Sequence, residues 1–297
     1  MPTIPEKSVP MLRARLRRVT AAAEHTPMGV ERALQELMAA VMGRLIRRPI
    51  GEKLLRYGSF EAALLTPEGS DSRGTAVYIH GGGYCCGDLA YAKWFGKVLA
   101  DLTNAPVLCP AYRLAPEHPF PAALEDAERC VRELFGTCPP EKTVLVGESA
   151  GGGLLFSLCA RLRDTGSPLP AGLVAISPWT DLTASGASYT ENARRDPSMT
   201  GTRLARFASC YTKTPADPLC SPLFGDVTGF PDTLLFVGGD EIMRDDAVAM
   251  HEKLLAAGVN SSLTVAPGLW HAYPFYGLRE RQGDMEAIRD FLKDKIS

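Results

Sequence analysis

From residue 54 onward, short apolar runs alternate with longer stretches in which apolar side chains recur at helical spacing. The short runs predict strands and the longer stretches predict helices. The predicted strands cover residues 54–66, 75–80, 106–111, 142–147, 171–177, 233–238 and 261–266. The predicted helices cover residues 89–103, 121–135, 150–165, 202–212, 244–258 and 282–295. This alternation predicts an α/β fold with a mostly parallel central sheet and helices on both of its faces.

A further helix is predicted ahead of the first strand. Thr26 and Pro27 are a typical helix start, a capping residue followed by proline at the first helical position. Apolar residues then recur along one face, at Val30, Leu34, Leu37, Met38, Val41, Met42 and Leu45. We expect this face to lie on the main domain. The chain thus divides into cap helices at residues 1–50 and a main domain at 51–297, with an irregular insertion at the rim of the sheet near 179–201.

The strand that ends at residue 147 runs directly into Gly147-Glu148-Ser149-Ala150-Gly151, and a predicted helix follows at once. A serine on a sharp strand-to-helix turn projects its hydroxyl above the sheet. Glycine is needed two positions to either side because nearby backbone leaves no room for a side chain. The following helix directs its positive end at the charge that develops when the serine attacks. Ser149 is therefore predicted to be a nucleophile.

A second strand end carries the sequence His80-Gly81-Gly82-Gly83-Tyr84. Three consecutive glycines allow the backbone to fold close to a ligand and to present its amides. Loops of this type supply oxyanion-hole donors together with the N–H of the residue after the nucleophile. Gly82, Gly83 and Ala150 are therefore the predicted donors, and Tyr84 and Gly81 are assigned to the substrate pocket. A phosphate-binding loop is disfavoured because the lysine and hydroxyl that should follow the glycines are missing.

The base that activates a serine is most often a histidine, and the chain has five. They are His25, His80, His118, His251 and His271. His271 alone follows a predicted strand on a loop from which a base could reach Ser149. We therefore predict His271 as the base.

The acid that orients the base is expected between serine and histidine in the sequence. The buried strand 233–238 ends in Gly239-Asp240-Glu241. Asp240 is predicted to be this acid because it is the first carboxylate after the turn, with Glu241 as the alternative register. Asp245 and Asp246 are assigned to the first turn of the next helix, where acidic side chains favour the helix dipole.

Six motifs occur in order between about residue 70 and the C-terminus. They are His80-Gly81-Gly82-Gly83, Tyr112-Arg113-Leu114-Ala115-Pro116-Glu117, Gly147-Glu148-Ser149-Ala150-Gly151, Ser177-Pro178-Trp179-Thr180-Asp181-Leu182, Gly239-Asp240-Glu241 and His271. Together they resemble the hormone-sensitive-lipase-like (bacterial family IV) esterases.

The resemblance implies an α/β-hydrolase fold with a cap built from the N-terminal helices and a segment near 183–212. It also implies hydrolysis of short-chain carboxylic esters without a cofactor or metal, often by a homodimer. Carried over by position, the triad is Ser149, Asp240 and His271, and the oxyanion hole is Gly82, Gly83 and Ala150. The stretch 112–117 is carried over as structural, with an Arg–Glu pair expected to pin a loop. Glu148 and Gly239-Asp240-Glu241 depart from the commonest family residues at those positions.

Composition and charge give little reason to expect other partners. The formal net charge is −2, although residues 1–50 hold nine Lys and Arg residues against four Asp and Glu residues. We interpret this basic segment as a solvated helix face, with membrane-surface binding as a distant alternative and no nucleic acid expected. No signal peptide or apolar run of membrane-spanning length is found. The eight cysteines form no C-x-x-C pair, which favours reduced thiols in a cytoplasmic protein without stable membrane insertion.

The predicted reaction is acyl transfer, in which Ser149 attacks an ester carbonyl with His271 as base, and water then releases the acid. Tyr84 and the N-terminal cap are expected to shape the substrate pocket and exclude bulk water. The same triad also serves amides, thioesters and lactones. A ligand receptor that has lost catalysis is a further alternative, which His271 disfavours because a receptor needs no base at that position.

Overall fold

The computed structural model describes residues 3–24, 26–43, 46 and 48–296. Within them the chain forms an eight-stranded sheet in the order β1-β2-β4-β3-β5-β6-β7-β8. The strands are β1 (Ile50–Arg56), β2 (Glu61–Pro67), β3 (Thr75–Ile79), β4 (Val107–Ala111), β5 (Thr143–Glu148), β6 (Gly172–Ile176), β7 (Thr233–Gly238) and β8 (Ser261–Ala266). Strands β3 to β8 run parallel to one another, whereas β2 runs antiparallel to β1 and to β4. The predicted α/β-hydrolase fold is confirmed.

The predicted strand at 54–66 is two strands. Gly58 has a φ of 85°, and the N–H of Tyr57 donates to the carbonyl oxygen of Phe60 across a tight turn. The turn reverses the chain, so that β1 and β2 pair as a hairpin at the edge of the sheet. The sequence does carry a turn signal here, because Gly58 and Ser59 lie between Arg56 and Glu61 and interrupt the apolar pattern. The prediction of one strand overlooked it, although glycine readily supplies the positive φ that the turn requires.

The helices follow the sequence pattern closely. They are α1 (Val9–Ala23), α2 (Met28–Gly43), α3 (Leu89–Thr103), α4 (Ala122–Phe135), α5 (Ala150–Asp164), α6 (Ser188–Glu191), α7 (Gly201–Tyr211), α8 (Arg244–Ala256) and α9 (Gln282–Ile296). Asp245 and Asp246 lie in the first turn of α8, as predicted. The short helix α6 lies within the stretch predicted to be irregular.

Alternating side chains of the central strands pack into two hydrophobic cores, one on each face of the sheet. Leu145 of β5 belongs to the core that also contains side chains of α4, α5 and α8. Its neighbours Val144 and Val146 belong to the opposite core, with side chains of α3 and α9. The strand is buried on both faces, so its rigid end can hold a functional turn in place.

The apolar face of α2 is not covered, contrary to the prediction. Five of its side chains are 50–64% exposed, namely Val30, Leu34, Leu37, Met38 and Val41. Leu45, which belongs to the same pattern, lies outside the described residues. The opposite face turns inward because it carries the ion-paired side chains Glu31 and Arg32 and the small side chain of Ala39, which is buried.

Those ion pairs connect α2 to the rest of the molecule. The Glu31 carboxylate accepts hydrogen bonds from Arg203 and Arg206 of α7. Arg32 donates to Glu117 and to the carbonyl oxygen of Cys85, just beyond the glycine-rich loop. Helix α2 is therefore connected to α7 and to the loops that follow β3 and β4. Across the described residues, none of the helices combines the length and apolar character that a membrane crossing needs.

Candidate active site

Ser149 lies on the turn between β5 and α5, with φ 54° and ψ −122°. This strained conformation is held from both sides. The Ser149 N–H donates to the carbonyl oxygen of Ile176 at the end of β6, and its carbonyl oxygen accepts from the N–H of Trp179 at 2.9 Å and of Gly153 at 3.0 Å. Backbone strain that the surroundings enforce in this way is typical of functional positions.

The two flanking glycines are required by close backbone contacts. An added Cβ at Gly151 would overlap the carbonyl oxygens of Ile79 and His80, where β3 ends. At Gly147 an added Cβ would overlap the carbonyl oxygen of Gly151 itself. The glycines therefore allow the N-terminus of α5 to approach the end of β3, which brings Ser149 beside the glycine-rich loop.

The glycine-rich loop contains residues with positive φ. Gly82 and Gly83 have φ values of 103° and 63°, and the Gly82 carbonyl oxygen accepts from the N–H groups of Cys85 and Cys86. Among the described residues, the N–H groups of Gly82, Gly83 and Ala150 have no hydrogen-bond acceptor. Three unpaired donors near a candidate nucleophile fit an oxyanion hole.

Gly81, assigned to the substrate pocket, has a structural contact. Its N–H donates to Oε1 of Glu148 at 2.6 Å, and an added Cβ would overlap that carboxylate. Glu148 is buried and also accepts from the hydroxyl of Tyr91 at 3.0 Å. Burial raises the pKa of the Glu148 carboxyl group, against the opposing effects of His271 and these hydrogen bonds. The residue before the nucleophile therefore holds the glycine-rich loop in place.

His80 is a structural residue as well. It is fully buried, its Nδ1 lies 2.7 Å from the Gly81 carbonyl oxygen, and its ring stacks on that of Tyr112. Burial lowers the pKa of His80 to about 4, so the ring is neutral at physiological pH. The Tyr112 hydroxyl donates to the His80 carbonyl oxygen at 2.8 Å, which fixes the start of the loop.

His271 pairs with Glu241 instead of Asp240. The Nδ1 atom of His271 lies 3.0 Å from Oε2 of Glu241, and both side chains are buried. Asp240 directs its carboxylate at Arg13 of α1, with Nη2 and Oδ2 2.6 Å apart. The predicted contact between Asp240 and His271 is thus wrong by one residue, because a tight turn from Gly238 to Glu241 directs Glu241 back under the strand end.

Ser177 connects the turns after β6, β7 and β8. Its hydroxyl donates to Oε1 of Glu241 at 2.6 Å and accepts from the N–H of Ala272 at 2.9 Å. Glu241 accepts a further hydrogen bond from the N–H of Gly238. The Ser149 N–H donates a hydrogen bond to Ile176, the residue before Ser177. The turn that carries Ser149 is therefore linked through Ile176 and Ser177 to the loop that carries His271.

The surroundings of His271 favour its protonated form. Burial lowers the pKa of the imidazole, but the hydrogen bond and charge of Glu241 outweigh this effect. The carboxylates of Asp196 and Glu148 act in the same direction, and the pKa of His271 is raised above 6.5. An imidazole poised in this range, with one ring nitrogen held by a carboxylate, can accept a proton through the other.

Comparison with known proteins shows the family to which the chain belongs. A family described as having the α/β-hydrolase fold matches residues 76–275. The chain belongs to that family. An acetyl-hydrolase of Streptomyces hygroscopicus is 40% identical over 245 residues, 81% of this chain and 82% of that protein. A mutant of the esterase E40 superposes with a TM-score of 0.89 at 34% identity, covering 98% and 99% of the two chains.

A solved esterase of the bacterial hormone-sensitive lipase family gives a TM-score of 0.87 at 34% identity, covering 96% of this chain and 98% of that one. The chain is therefore a hormone-sensitive-lipase-like esterase. The resemblance inferred from the six motifs is confirmed.

Tyr84 of this esterase lies under α7. Its ring is buried and stacks on Tyr211, with centroids 3.8 Å apart, and its φ is 61°. An added Cβ at neighbouring Gly83 would overlap the ring of Phe207. Side chains of α7 therefore fill the space beside the glycine-rich loop.

The stretch 112–117 forms different ion pairs from the expected one. Arg113 pairs with Asp126 at the start of α4, at 2.7 Å, whereas Glu117 pairs with Arg32 of α2, also at 2.7 Å. The expected Arg–Glu pair within the stretch is not formed. Its glutamate instead connects the N-terminal helices to the esterase domain.

The other candidate residues have local roles. His251 bonds to Ser261, and His25 lies outside the described residues. All eight cysteines are free and seven are buried, as predicted. Within the part of the chain that the structure describes, no group of three or more His, Cys, Asp or Glu side chains is placed to hold a metal ion.

Sequence reasoning missed the contacts that Arg13, Ser177 and Asp196 make near His271 and Glu241. Ser177 belongs to one of the six sequence motifs, so its position was known. Its hydrogen bonds to Glu241 and Ala272 could not be predicted from that motif. Arg13 and Asp196 carried no sequence signal, because their partners lie far away along the chain.

Proposed function

We propose that this esterase hydrolyses short-chain carboxylic esters through an acyl-enzyme on Ser149, with His271 as the base and Glu241 as the acid. The observation that carries the proposal is the buried His271–Glu241 pair, joined through Ser177 to the strained turn of Ser149. Nucleophile, base and orienting acid are the three parts that covalent ester hydrolysis requires.

In the first stage, the Ser149 hydroxyl oxygen attacks the ester carbonyl carbon and His271 takes its proton. The N–H groups of Gly82, Gly83 and Ala150 bind the oxyanion that forms. The tetrahedral intermediate then breaks its bond to the alcohol oxygen, which leaves with the proton from His271.

In the second stage, His271 deprotonates a water molecule, whose oxygen attacks the acyl carbon. The bond between that carbon and the Ser149 oxygen then breaks, His271 returns the proton to the serine oxygen, and the acid is released. Glu241 holds the imidazole in the tautomer with the proton on Nδ1 and stabilises the imidazolium, but does not take the proton.

Packing beside the glycine-rich loop supports a preference for short acyl chains. Phe207 lies against Gly83, and the stacked rings of Tyr84 and Tyr211 occupy the adjacent space. The acetyl-hydrolase name of the Streptomyces relative points in the same direction. We therefore include α7, with α1 and α2, in a cap over the site.

The eight free thiols support a reducing compartment such as the cytoplasm, because thiols persist where disulfides do not form. Unchanged esterase activity over a range of reductant concentrations would agree with this location.

Labelling with a fluorophosphonate and hydrolysis of p-nitrophenyl acetate test the nucleophile. Ser149→Ala should abolish both while leaving the circular dichroism spectrum unchanged. Ser209→Ala, on the exposed side of α7, is the control and should retain both activities. Full turnover by Ser149→Ala would refute the assignment.

A substrate panel tests the bond and the chain length. We expect p-nitrophenyl acetate and butyrate to be turned over faster than decanoate. We also expect these esters to react faster than the matching anilides, thioesters and lactones. A clear preference for another class of bond would mean that this class, and not the carboxylic esters, contains the substrate.

A further inference from the structure

Arg13 of α1 contacts the two loops that carry Glu241 and His271. Its Nη2 atom donates to Oδ2 of Asp240 at 2.6 Å, and its Nη1 atom donates to the carbonyl oxygen of Gly268 at 2.9 Å. A third hydrogen bond reaches the carbonyl oxygen of Arg195. The Arg13 and Asp240 side chains are only 23% and 17% exposed, so water competes weakly for these contacts.

Each acceptor lies close in sequence to the acid–base pair. Asp240 immediately precedes Glu241, and Gly268 lies three residues before His271. Arg195 adjoins Asp196, whose Oδ2 accepts from the N–H of Ile242 at 3.1 Å. One guanidinium group therefore bridges three segments that surround the His271–Glu241 contact.

The backbone alone joins these loops at few points. The Asp240 N–H donates to the Leu269 carbonyl oxygen at 2.9 Å, and the Gly239 N–H donates to the Ala266 carbonyl oxygen at 2.7 Å. Arg13 adds a charged link farther out on the same two loops. An arginine is suited to this position because its planar fork presents several fixed donors, whereas a lysine presents one compact charge.

We propose that Arg13 is a positioning residue, which holds the Glu241 turn and the His271 loop at a fixed separation and makes this alignment depend on the seating of α1. The inference rests on the proposed roles of Glu241 and His271. It gives Asp240 a function of its own, as the anchor for α1 beside the acid. The N-terminal helix then controls the acid–base pair in addition to covering the site.

The test compares Arg13→Lys and Arg13→Gln with Arg17→Ala. Arg17 lies on the same helix and donates to the Arg194 carbonyl oxygen, so it also attaches α1 to residues 193–195, but it contacts neither loop. Steady-state hydrolysis of p-nitrophenyl acetate is measured from pH 5 to 9 for each variant. Thermal melting of each variant checks the fold.

We expect Arg13→Lys and Arg13→Gln to lower kcat about tenfold or more, with KM changed less than about twofold, because a small misplacement of a catalytic group slows the chemical step. Arg13→Lys keeps the positive charge and should shift the acid limb of kcat/KM to lower pH. The shift arises because a looser Glu241 no longer raises the pKa of His271 as far. Arg17→Ala should match the wild type in kcat and in this limb.

Two results would overturn the inference. One is an equal loss in the Arg13 variants and in Arg17→Ala, which would mean that attachment of α1 alone matters. The other is wild-type kcat in Arg13→Lys and Arg13→Gln. If the folded wild type neither hydrolyses the ester nor takes the fluorophosphonate label, the proposed function itself fails, and the inference fails with it.

Discussion

Two adjacent carboxylates at the end of β7 face different partners. Glu241 is fully buried and bonded to His271, Ser177 and Gly238, whereas Asp240 is partly exposed and paired with Arg13. A carboxylate that holds an imidazole must be fixed in direction, and the three hydrogen bonds to Glu241 provide this.

Replacement of the two acids should therefore have different effects on turnover. Glu241→Gln keeps the shape of the side chain but removes its charge, and we expect kcat to fall about 10³- to 10⁴-fold, as loss of the orienting acid does in other triads. Asp240→Asn should lower kcat roughly tenfold or less, because Asp240 affects the His271 imidazole only through the position of the loop that carries it. Ester hydrolysis at pH 8 measures both, and the reverse ranking would restore Asp240 as the acid.

The pKa of His271 predicts the pH dependence of activity. Burial lowers this pKa, but the hydrogen bond and charge of Glu241, with Asp196 and Glu148, raise it above 6.5. The base must be neutral to accept the serine proton, so activity is lost as the pH falls through the raised pKa. The acid limb of kcat/KM, which reports the free enzyme, should have its midpoint above pH 6.5. A midpoint clearly below 6.5 would contradict the environment described for His271.

At the scale of single residues, the sequence predicted which strand ends carry the candidate residues, but not which of two adjacent carboxylates contacts His271. Ser149 and His271 were predictable because each follows a strand whose end must lie at one edge of a parallel sheet. The choice between Asp240 and Glu241 was not, because it depends on how a four-residue turn directs two neighbouring side chains. The contact of Arg13 could not be predicted for a different reason, since its partner Asp240 is 227 positions away in the sequence.

At the scale of elements, the junction between β3 and α5 depends on the lack of a side chain at Gly151. We expect Gly151→Ala to lower the free energy of unfolding by about 2–4 kcal/mol, since the clash is with backbone and cannot be relieved by a rotamer change. Gly201→Ala at the start of α7 is the matched control, because open space surrounds that position.

Urea unfolding followed by circular dichroism measures both glycine variants, together with turnover of p-nitrophenyl acetate. The control should change the free energy of unfolding by about 0.5 kcal/mol or less. Equal free energies of unfolding for Gly151→Ala and Gly201→Ala would mean that α5 can move away from β3 without loss of stability.

Element boundaries show where periodicity is informative. Helices α3 and α4 begin within one residue of their predicted starts, because each has a clear apolar stripe and a polar or proline residue just before its first turn. The β1–β2 hairpin was merged into one strand because its short turn, Gly58-Ser59, lies between aromatic residues that are typical of strands, Tyr57 and Phe60. Alternation alone does not reveal a reversal of chain direction.

At the scale of the whole molecule, α2 has the opposite orientation from the one its pattern suggests. An apolar stripe indicates a helix but not the surface that it covers, and here ion pairs of Glu31 and Arg32 decide which face turns inward. Burying such charges is tolerated because each is matched by a partner that also supplies hydrogen bonds. Those partners, on α7 and near residue 117, could not be anticipated from the helix alone.

The exposed stripe of α2 leads to a whole-molecule prediction about stability. Leu37 is 64% exposed, whereas Leu99 of α3 is fully buried, and both lie within helices. We expect Leu99→Ala to lower the free energy of unfolding by about 2–5 kcal/mol, because it removes buried methyl groups and leaves a cavity. Leu37→Ala should change it by about 0.5 kcal/mol or less, since its side chain is already in contact with water.

Urea unfolding at several protein concentrations measures both leucine variants. A loss above about 1.5 kcal/mol for Leu37→Ala, beyond the range of an exposed substitution, would mean that the stripe is covered in solution. If that loss also grew with protein concentration, the cover would be a second copy of the chain, because association stabilises the folded state by mass action. A small loss that is independent of concentration would mean that the apolar stripe of α2 stays exposed to solvent.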